Sequence, residues 1–171
     1  MIRNKVNNVL KKMLSTRGYN EIKEITKELT ITNDMICYYP DNNKITIELV
    51  KNFFEYLEKY KTKHGIIVYN ESLTPDANAL ISEYLPDDYW IEIFCSENLT
   101  FIPIDHKLVP LHVRLTSEEI KLELANIRLN DLPEILDSDP IIKFMGYRKD
   151  DIIRVHRIND ELYYLIVVRD L

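Results

Sequence analysis

Carboxylates supply the densest acid–base chemistry in this chain, in the close pairs Asp87/Asp88, Asp137/Asp139 and Asp150/Asp151. A catalytic pair must hold its two groups in environments that push their pKa values apart. All three pairs fall where turns or helix caps are expected, and they read as capping residues. The histidines, His64, His106, His112 and His156, and the cysteines, Cys37 and Cys95, show no tight ligand spacing. A zinc site takes about four such ligands. Ser15, Ser72, Ser82, Ser96, Ser117 and Ser138 lie in no nucleophile-elbow motif. Three scattered glycines cannot build a phosphate-cradling loop. These residue types predict no catalytic group, no metal and no cofactor. Lys59, Lys61, Lys63 and His64 form one small basic cluster. It reads either as a solvated helix end, where cations suit the dipole, or as a contact to a nucleic-acid backbone.

The elements that must carry these residues follow from periodicity and punctuation. Ile2, Val6, Val9, Leu10, Met13 and Leu14 have helical spacing, and Gly18 stands where a C-terminal cap would. The stretch from Ile22 to Ile31 fits a continued helix or a loop. Met35 to Tyr39 reads as a strand, Pro40 to Asn43 as a turn, and Leu49 to Leu57 as a helix with Phe53, Phe54 and Leu57 in the core. Gly65 to Tyr69 reads as a buried strand. Thr74-Pro75-Asp76 is a helix start, with a capping hydroxyl, a proline at the first position and an acid toward the dipole. Tyr89 to Phe94 and Phe101 to Ile104 are expected as strands.

The pattern changes at Asp105. Thr116-Ser117-Glu118-Glu119 is a capping box opening a helix to about Leu124. Leu132-Pro133-Glu134-Ile135 is expected to open a second short helix. Asp139-Pro140 caps a third, which Gly146 ends. Asp151 to Ile158 and Leu162 to Val168 form a terminal hairpin with Asn159-Asp160 in its turn. The expected division is therefore residues 1–104 and 105–171.

Acidic residues outnumber basic ones on both sides of that boundary, and the net charge is -6. Autonomous nucleic-acid binding draws on many Lys and Arg phosphate contacts, so neither half is a free-standing basic module. With 46% hydrophobic and 29% charged residues the chain is globular rather than disordered. Two cysteines without a CxxC partner are expected as reduced core thiols. The opening Met1 to Lys5 leads into an amphipathic pattern and reads as neither a signal peptide nor a membrane span. Ile, Lys, Asn and Tyr are abundant, which points to an AT-rich genome.

The second half resembles a known family. His106-Lys107-Leu108-Val109-Pro110-Leu111-His112 is similar to the start of the assembly domain of DNA-directed RNA polymerase subunit 5 and of its archaeal homologue. Leu115 with the Thr116–Glu119 helix start, Leu132-Pro133-Glu134-Ile135, Asp139-Pro140 and Gly146 follow in that family's order and spacing. Thr16-Arg17-Gly18-Tyr19, Gly65-Ile66-Ile67-Val68-Tyr69 and Leu73-Thr74-Pro75-Asp76-Ala77 resemble the jaw domain of the two-domain eukaryotic form. Asp150 replaces a family glycine, and aspartate tolerates a left-handed turn. The final hairpin loop is short, and so is the first domain.

The resemblance implies an α+β fold of two domains: an N-terminal α/β jaw with nuclease-like topology, and a small mixed α/β assembly domain ending in a β-hairpin. It implies a non-catalytic polymerase subunit whose assembly domain docks on the largest subunit and whose jaw lies near downstream DNA. Leu108, Val109, Pro110, His112, Leu132, Pro133, Arg154 and Arg157 are the expected partner interface. Thr74, Pro75, Lys61 and Lys63 are the expected DNA-facing residues, in a weak contact blind to sequence. No membrane contact is implied. A cellular member would sit in the nucleus. A viral one, which the shortening and the AT bias favour, would sit in host cytoplasm and virion. An active nuclease-like domain would carry a metal-nuclease signature. Pro40-Asp41 precedes Glu48-Leu49-Val50-Lys51 with one residue too many, and Pro86-Asp87 precedes Glu92-Ile93-Phe94 without a lysine. The alternatives are a nuclease-like DNA-processing enzyme and a free regulatory module mimicking the subunit.

Overall fold

The computed structural model describes residues 2–84, 89–157, 159 and 161–170. The Asp87/Asp88 pair, Pro86, Ile158 and Asp160 lie outside them. Two compact units follow each other, Met1–Phe101 and Ile102–Leu171, and each is mixed α/β.

In the first unit, α1 (Ile2–Thr16) precedes β1 (Lys23–Glu24), β2 (Leu29–Ile31) and β3 (Met35–Tyr38). Then come β4 (Lys44–Ile45), α2 (Ile47–Lys59), β5 (His64–Tyr69), β6 (Ser72–Leu73), α3 (Pro75–Tyr84) and β7 (Trp90–Cys95). The main sheet has the order β1-β2-β3-β5-β7. β3, β5 and β7 run parallel, while β1, β2 and β3 pair antiparallel. The stretch left open between helix and loop is instead a small hairpin. The Thr26 hydroxyl accepts the N–H groups of Glu28 and Leu29 and folds its turn.

The parallel strands are buried on both faces, hence the unbroken apolar runs at Met35 and Gly65. Ile36, Tyr38 and Ile67 face α2 and α3, meeting Phe53, Phe54, Leu57, Ala77 and Ile81. Cys37 alternates to the other face and shares a lining with Leu10 and Leu14 of α1. Burial pushes its thiol up to about 12. Gly65 is set by packing: a Cβ there would stand 2.4 Å from Phe53 Cζ and 3.1 Å from Leu57 Cδ2. Phe53 and Leu57 are fully buried, so neither can swing aside. Gly65→Ala is expected to destabilise the chain by about 1–3 kcal/mol, the cost of overpacking, read as a lower urea midpoint at unchanged slope.

In the second unit, β8 (Leu111–Arg114) and α4 (Ser117–Glu123) precede β9 (Glu134–Leu136), α5 (Pro140–Met145), β10 (Ile152–His156) and β11 (Leu162–Val168). The sheet order is β8-β10-β11-β9, antiparallel except for the parallel β9–β11 pair. Around α4, one cluster joins Leu115, Leu124, Leu132 and Ile152. A second joins Ile142 of α5 to Ile153, Val155 and Val167. The capping box forms as expected: Glu119 N–H reaches the Thr116 hydroxyl, and the Glu119 carboxylate takes the Thr116 N–H. Asp139 caps α5, Gly146 ends it at φ 68°, and Asp150 takes φ 70°.

Two expectations are corrected. Phe101 to Ile104 is no strand. Pro103 lacks the N–H a ladder needs and starts a 3₁₀ turn, Pro103–Asp105. Leu132 to Ile135 opens no helix. Ile166 N–H donates to Pro133 C=O and draws the segment onto the sheet as β9, so pairing overrides the proline's helix-start preference.

Candidate partner and nucleic-acid interfaces

The eight residues expected at a partner interface separate into three groups. Leu108, Val109 and Pro110 lead into β8 through a turn in which Val109 N–H donates to His106 C=O. His112 Nδ1 lies 2.7 Å from Pro110 C=O and stiffens this approach. Leu108 is 68% exposed and Leu111 63%. His156 pairs with Leu111 on one side and Leu162 on the other. That register carries Arg157 to the same end of the sheet as Pro110. The Arg157 guanidinium lies over the Tyr163 ring. Leu108, Leu111, Leu162 and Tyr163, all exposed apolar residues, thus lie at the hairpin end of the sheet, with Leu111 and Leu162 on one face and Tyr163 with Arg157 on the other.

Arg154 belongs to a different arrangement. It ion-pairs with Glu123 and reaches Glu119, both on α4, while its Nε donates to His156 Nε2 at 3.1 Å. Tyr164 OH also donates to Glu123, at 2.8 Å. Arg154 therefore clamps α4 onto the sheet and presents little charge outward. Leu132 is buried in the unit's own core. Pro133 is exposed but stands at the opposite edge of the sheet from Pro110.

The four expected DNA-facing residues also separate. Lys61 and Lys63 are exposed just before β5, and Thr74 and Pro75 follow its far end. A six-residue strand spans roughly 17 Å. Thr74 is already engaged: its hydroxyl accepts the Ala77 N–H, and its own N–H donates to Ile45 C=O. Pro75 has no N–H, so this helix start offers an anion little beyond the Asp76 N–H. Lys61 has φ 53°, with Thr62 N–H closing on Leu57 C=O. Glycine is the usual occupant of that left-handed position after a helix. A lysine there carries a backbone cost of about 1–2 kcal/mol. Lys63 Nζ lies 5.7 Å from the Tyr89 ring centroid.

Sequence reasoning missed a buried polar network in the first unit. Gly18 (φ 88°) ends α1 with paired bonds, Tyr19 N–H to Leu14 C=O and Gly18 N–H to Ser15 C=O. The turn presents Arg17 and Tyr19 to the start of β5 and β7. Arg17 makes two bonds to the Glu92 carboxylate, at 2.7 and 2.8 Å. His64 Nε2 meets Glu92 Oε1 at 2.9 Å, and its Nδ1 meets Tyr19 OH at 3.0 Å. The imidazole stacks on Trp90 at 3.7 Å. Burial pushes the Glu92 carboxyl up, but the His64 and Arg17 contacts outweigh it and hold it below the usual carboxylate range. The signal was present as Arg17-Gly18-Tyr19, but sequence distance hid its partners.

Of the nuclease signatures, Glu92 is committed to this network and Asp41 to an ion pair with Arg3. Among the described residues no three His, Cys, Asp or Glu gather as a metal site, and no helix is long and apolar enough to cross a membrane.

Comparison with known proteins bears on both units. The family model described as RNA polymerase Rpb5, C-terminal domain, matches residues 101–169. DNA-directed RNA polymerases I, II, and III subunit RPABC1 of Caenorhabditis elegans is 30% identical over 148 residues, covering 81% of this chain and 70% of that protein. The Caenorhabditis briggsae protein of the same name matches with the same identity and coverage. The Dictyostelium discoideum counterpart is 27% identical over 130 residues, covering 74% of this chain and 66% of its own length.

Proposed function

This chain belongs to the Rpb5 (RPABC1) family of RNA polymerase subunits, and from that membership we propose that it is a non-catalytic subunit that docks through its second unit and holds its first unit near downstream DNA. The largest polymerase subunit is the partner of choice, with residues 105–171 as the assembly domain and 1–104 as the jaw. The observation that carries the docking reading is the exposed apolar end of the sheet, Leu108 with Leu111 and Leu162, and Tyr163 under Arg157 on the other face. Apolar anchors with an arginine are what protein interfaces favour, and an exposed patch of this kind marks one. Val109, Pro110 and His112 shape its rim. Arg154 and Leu132 serve it indirectly, by holding α4 and the core beneath. Pro133 is the remaining candidate on the far edge. Co-purification of the chain at one copy per polymerase tests the reading; absence from the purified polymerase overturns it. Location follows the assembly: the nucleus for a cellular polymerase, the host cytoplasm and virion for a viral one.

For the jaw, Lys61 and Lys63 carry the DNA contact, and Thr74 and Pro75 contribute less because the Thr74 hydroxyl and N–H are already bonded and Pro75 has no N–H. The contact reads phosphates rather than bases, so it is independent of sequence and weakened by salt. Lys61→Gly separates charge from backbone. Stability is expected to stay level or rise by up to about 1 kcal/mol, because glycine removes the left-handed cost but frees the unfolded chain. Binding of the assembled polymerase to downstream duplex is expected to weaken, and the slope of log affinity against log salt to fall by about one. An unchanged slope removes Lys61 from the interface.

A further inference from the structure

We propose that the β9 edge of the second unit accepts an extended, Lys- or Arg-bearing segment of a protein partner by strand addition. A four-stranded sheet has two edges, and this chain treats them differently. At β8, Leu115 N–H donates to Ile152 C=O, which fixes the register. Leu111 and Val113 therefore turn their backbone groups toward β10, and His112 and Arg114 turn theirs outward. The Tyr147 hydroxyl closes that outer side. It donates to His112 C=O at 3.1 Å. A partner strand would have to displace this hydroxyl from the middle of the edge.

The opposite edge has no such closure. Ile166 N–H donates to Pro133 C=O, and Asp137 N–H donates to Val168 C=O, so Ile135 faces β11. Glu134 and Leu136 then point their backbone groups away from the sheet. Leu136 C=O is taken by Asp139 N–H at 3.1 Å. What remains is Glu134 N–H, Glu134 C=O and Leu136 N–H, on two exposed residues. Proteins normally blunt an unpaired edge with cover, a bulge or charge. Here one edge carries a phenol hydroxyl across it, and the other carries no side chain over its three bonding groups, beside a Leu136 that is 45% exposed.

The chemistry of the occupant follows from charge. Leu129 to Asp139 contains Asp131, Glu134, Asp137 and Asp139 and no Lys or Arg. Asp131 is paired with Arg128 and Asp139 caps α5, which leaves Glu134 as the exposed carboxylate on the strand itself. Glu134 and Leu136, two apart, share one face of the sheet. The fitting segment therefore sets a basic side chain against Glu134 and an apolar one against Leu136. Running antiparallel, one of its residues exchanges both bonds with Glu134, and Leu136 N–H supplies the third. A second copy of this chain would bring Glu134 against Glu134, a like-charge pair that sheets disfavour. This edge lies across the sheet from Leu108 and Leu111 and does not depend on the polymerase reading.

The test uses the isotope-labelled full chain and two acetylated pentapeptides, a basic one, Thr-Val-Thr-Lys-Thr, and an acidic one, Thr-Val-Thr-Glu-Thr, in which the valine and the charged residue are two apart as Leu136 and Glu134 require. At saturating basic peptide, amide exchange of Glu134 and Leu136 is expected to slow about tenfold, while His112 and Arg114 do not change. The acidic peptide is expected to give no protection. Leu136→Pro removes the outward donor and is expected to abolish the effect, with Ile135 and Val167 amides reporting that the sheet persists. Glu134→Lys leaves the backbone intact and is expected to exchange the preference between the two peptides. The proposal falls if the basic peptide protects neither amide, if both peptides protect equally, if protection appears at His112 and Arg114 instead, or if self-association without peptide protects the same amides.

Discussion

Arg17→Ala is expected to lower the stability of the chain by about 3–5 kcal/mol, the cost of leaving one member of a buried ion pair uncompensated. The Arg17 side chain is 3% exposed and that of Glu92 11%, so water cannot replace the two lost bonds. His64 alone would then face a buried carboxylate. The pH dependence distinguishes this from loss of packing. In the native chain the Glu92 carboxyl is held below its ordinary value, so its contribution is complete above the unfolded carboxylate pKa. It is lost as pH falls through the folded value. Without Arg17, burial pushes that carboxyl up, and taking up a proton relieves the variant. The gap between native and Arg17→Ala urea midpoints should therefore be widest near about pH 7 and narrow toward about pH 4. A gap that stays constant would assign Arg17 a packing role only. Glu92→Gln, a neutral isostere, leaves the Arg17 charge buried and uncompensated, so it should cost about as much as Arg17→Ala while flattening the acid limb of the stability curve.

Leu108→Glu is expected to reduce incorporation into the polymerase by at least about tenfold while leaving the fold intact, since truncating or charging a central anchor costs more than about 1.4 kcal/mol of binding. Leu108 projects into solvent and supports no core contact of its own unit, so the urea midpoint of the free chain should not move. Arg154→Ala makes the contrasting case. Its clamp to Glu123 and Glu119 is intramolecular, so the free chain should lose stability before any docking is measured. Competition between native and Leu108→Glu chains for one purified polymerase, scored by mass spectrometry, gives the ratio directly. Equal incorporation would take Leu108 out of the interface.

Much of this architecture was legible because local physics and tertiary context agree along most of the chain. Helical periodicity located α1 and α2, the capping box located α4, and Asp139-Pro140 with Gly146 bracketed α5. What stayed hidden depends on a partner distant in sequence. Leu132-Pro133 carries a plausible helix start, and only the Ile166 N–H, thirty-odd residues on, turns it into a strand. The Arg17–Glu92–His64 network joins three segments, none with its own signature. The family resemblance puts Arg154 at the interface, and nothing in the sequence beside it names Glu123. The same turn device recurs unannounced: Gly18 delivers Tyr19 to His64, and Gly146 delivers Tyr147 to the edge of β8.

Cys37 turns the first unit into its own unfolding clock. Only a thiolate alkylates, and this sulfur is both shielded from reagent and held protonated by its surroundings. Iodoacetamide can modify it only in molecules whose sheet has opened, so the modification rate counts those openings. Cys95, partly accessible at the end of β7, reacts without waiting and calibrates the reagent in the same tube. The ratio of the two adducts would follow the first-unit variants, Gly65→Ala, Lys61→Gly, Arg17→Ala and Glu92→Gln, without an added probe.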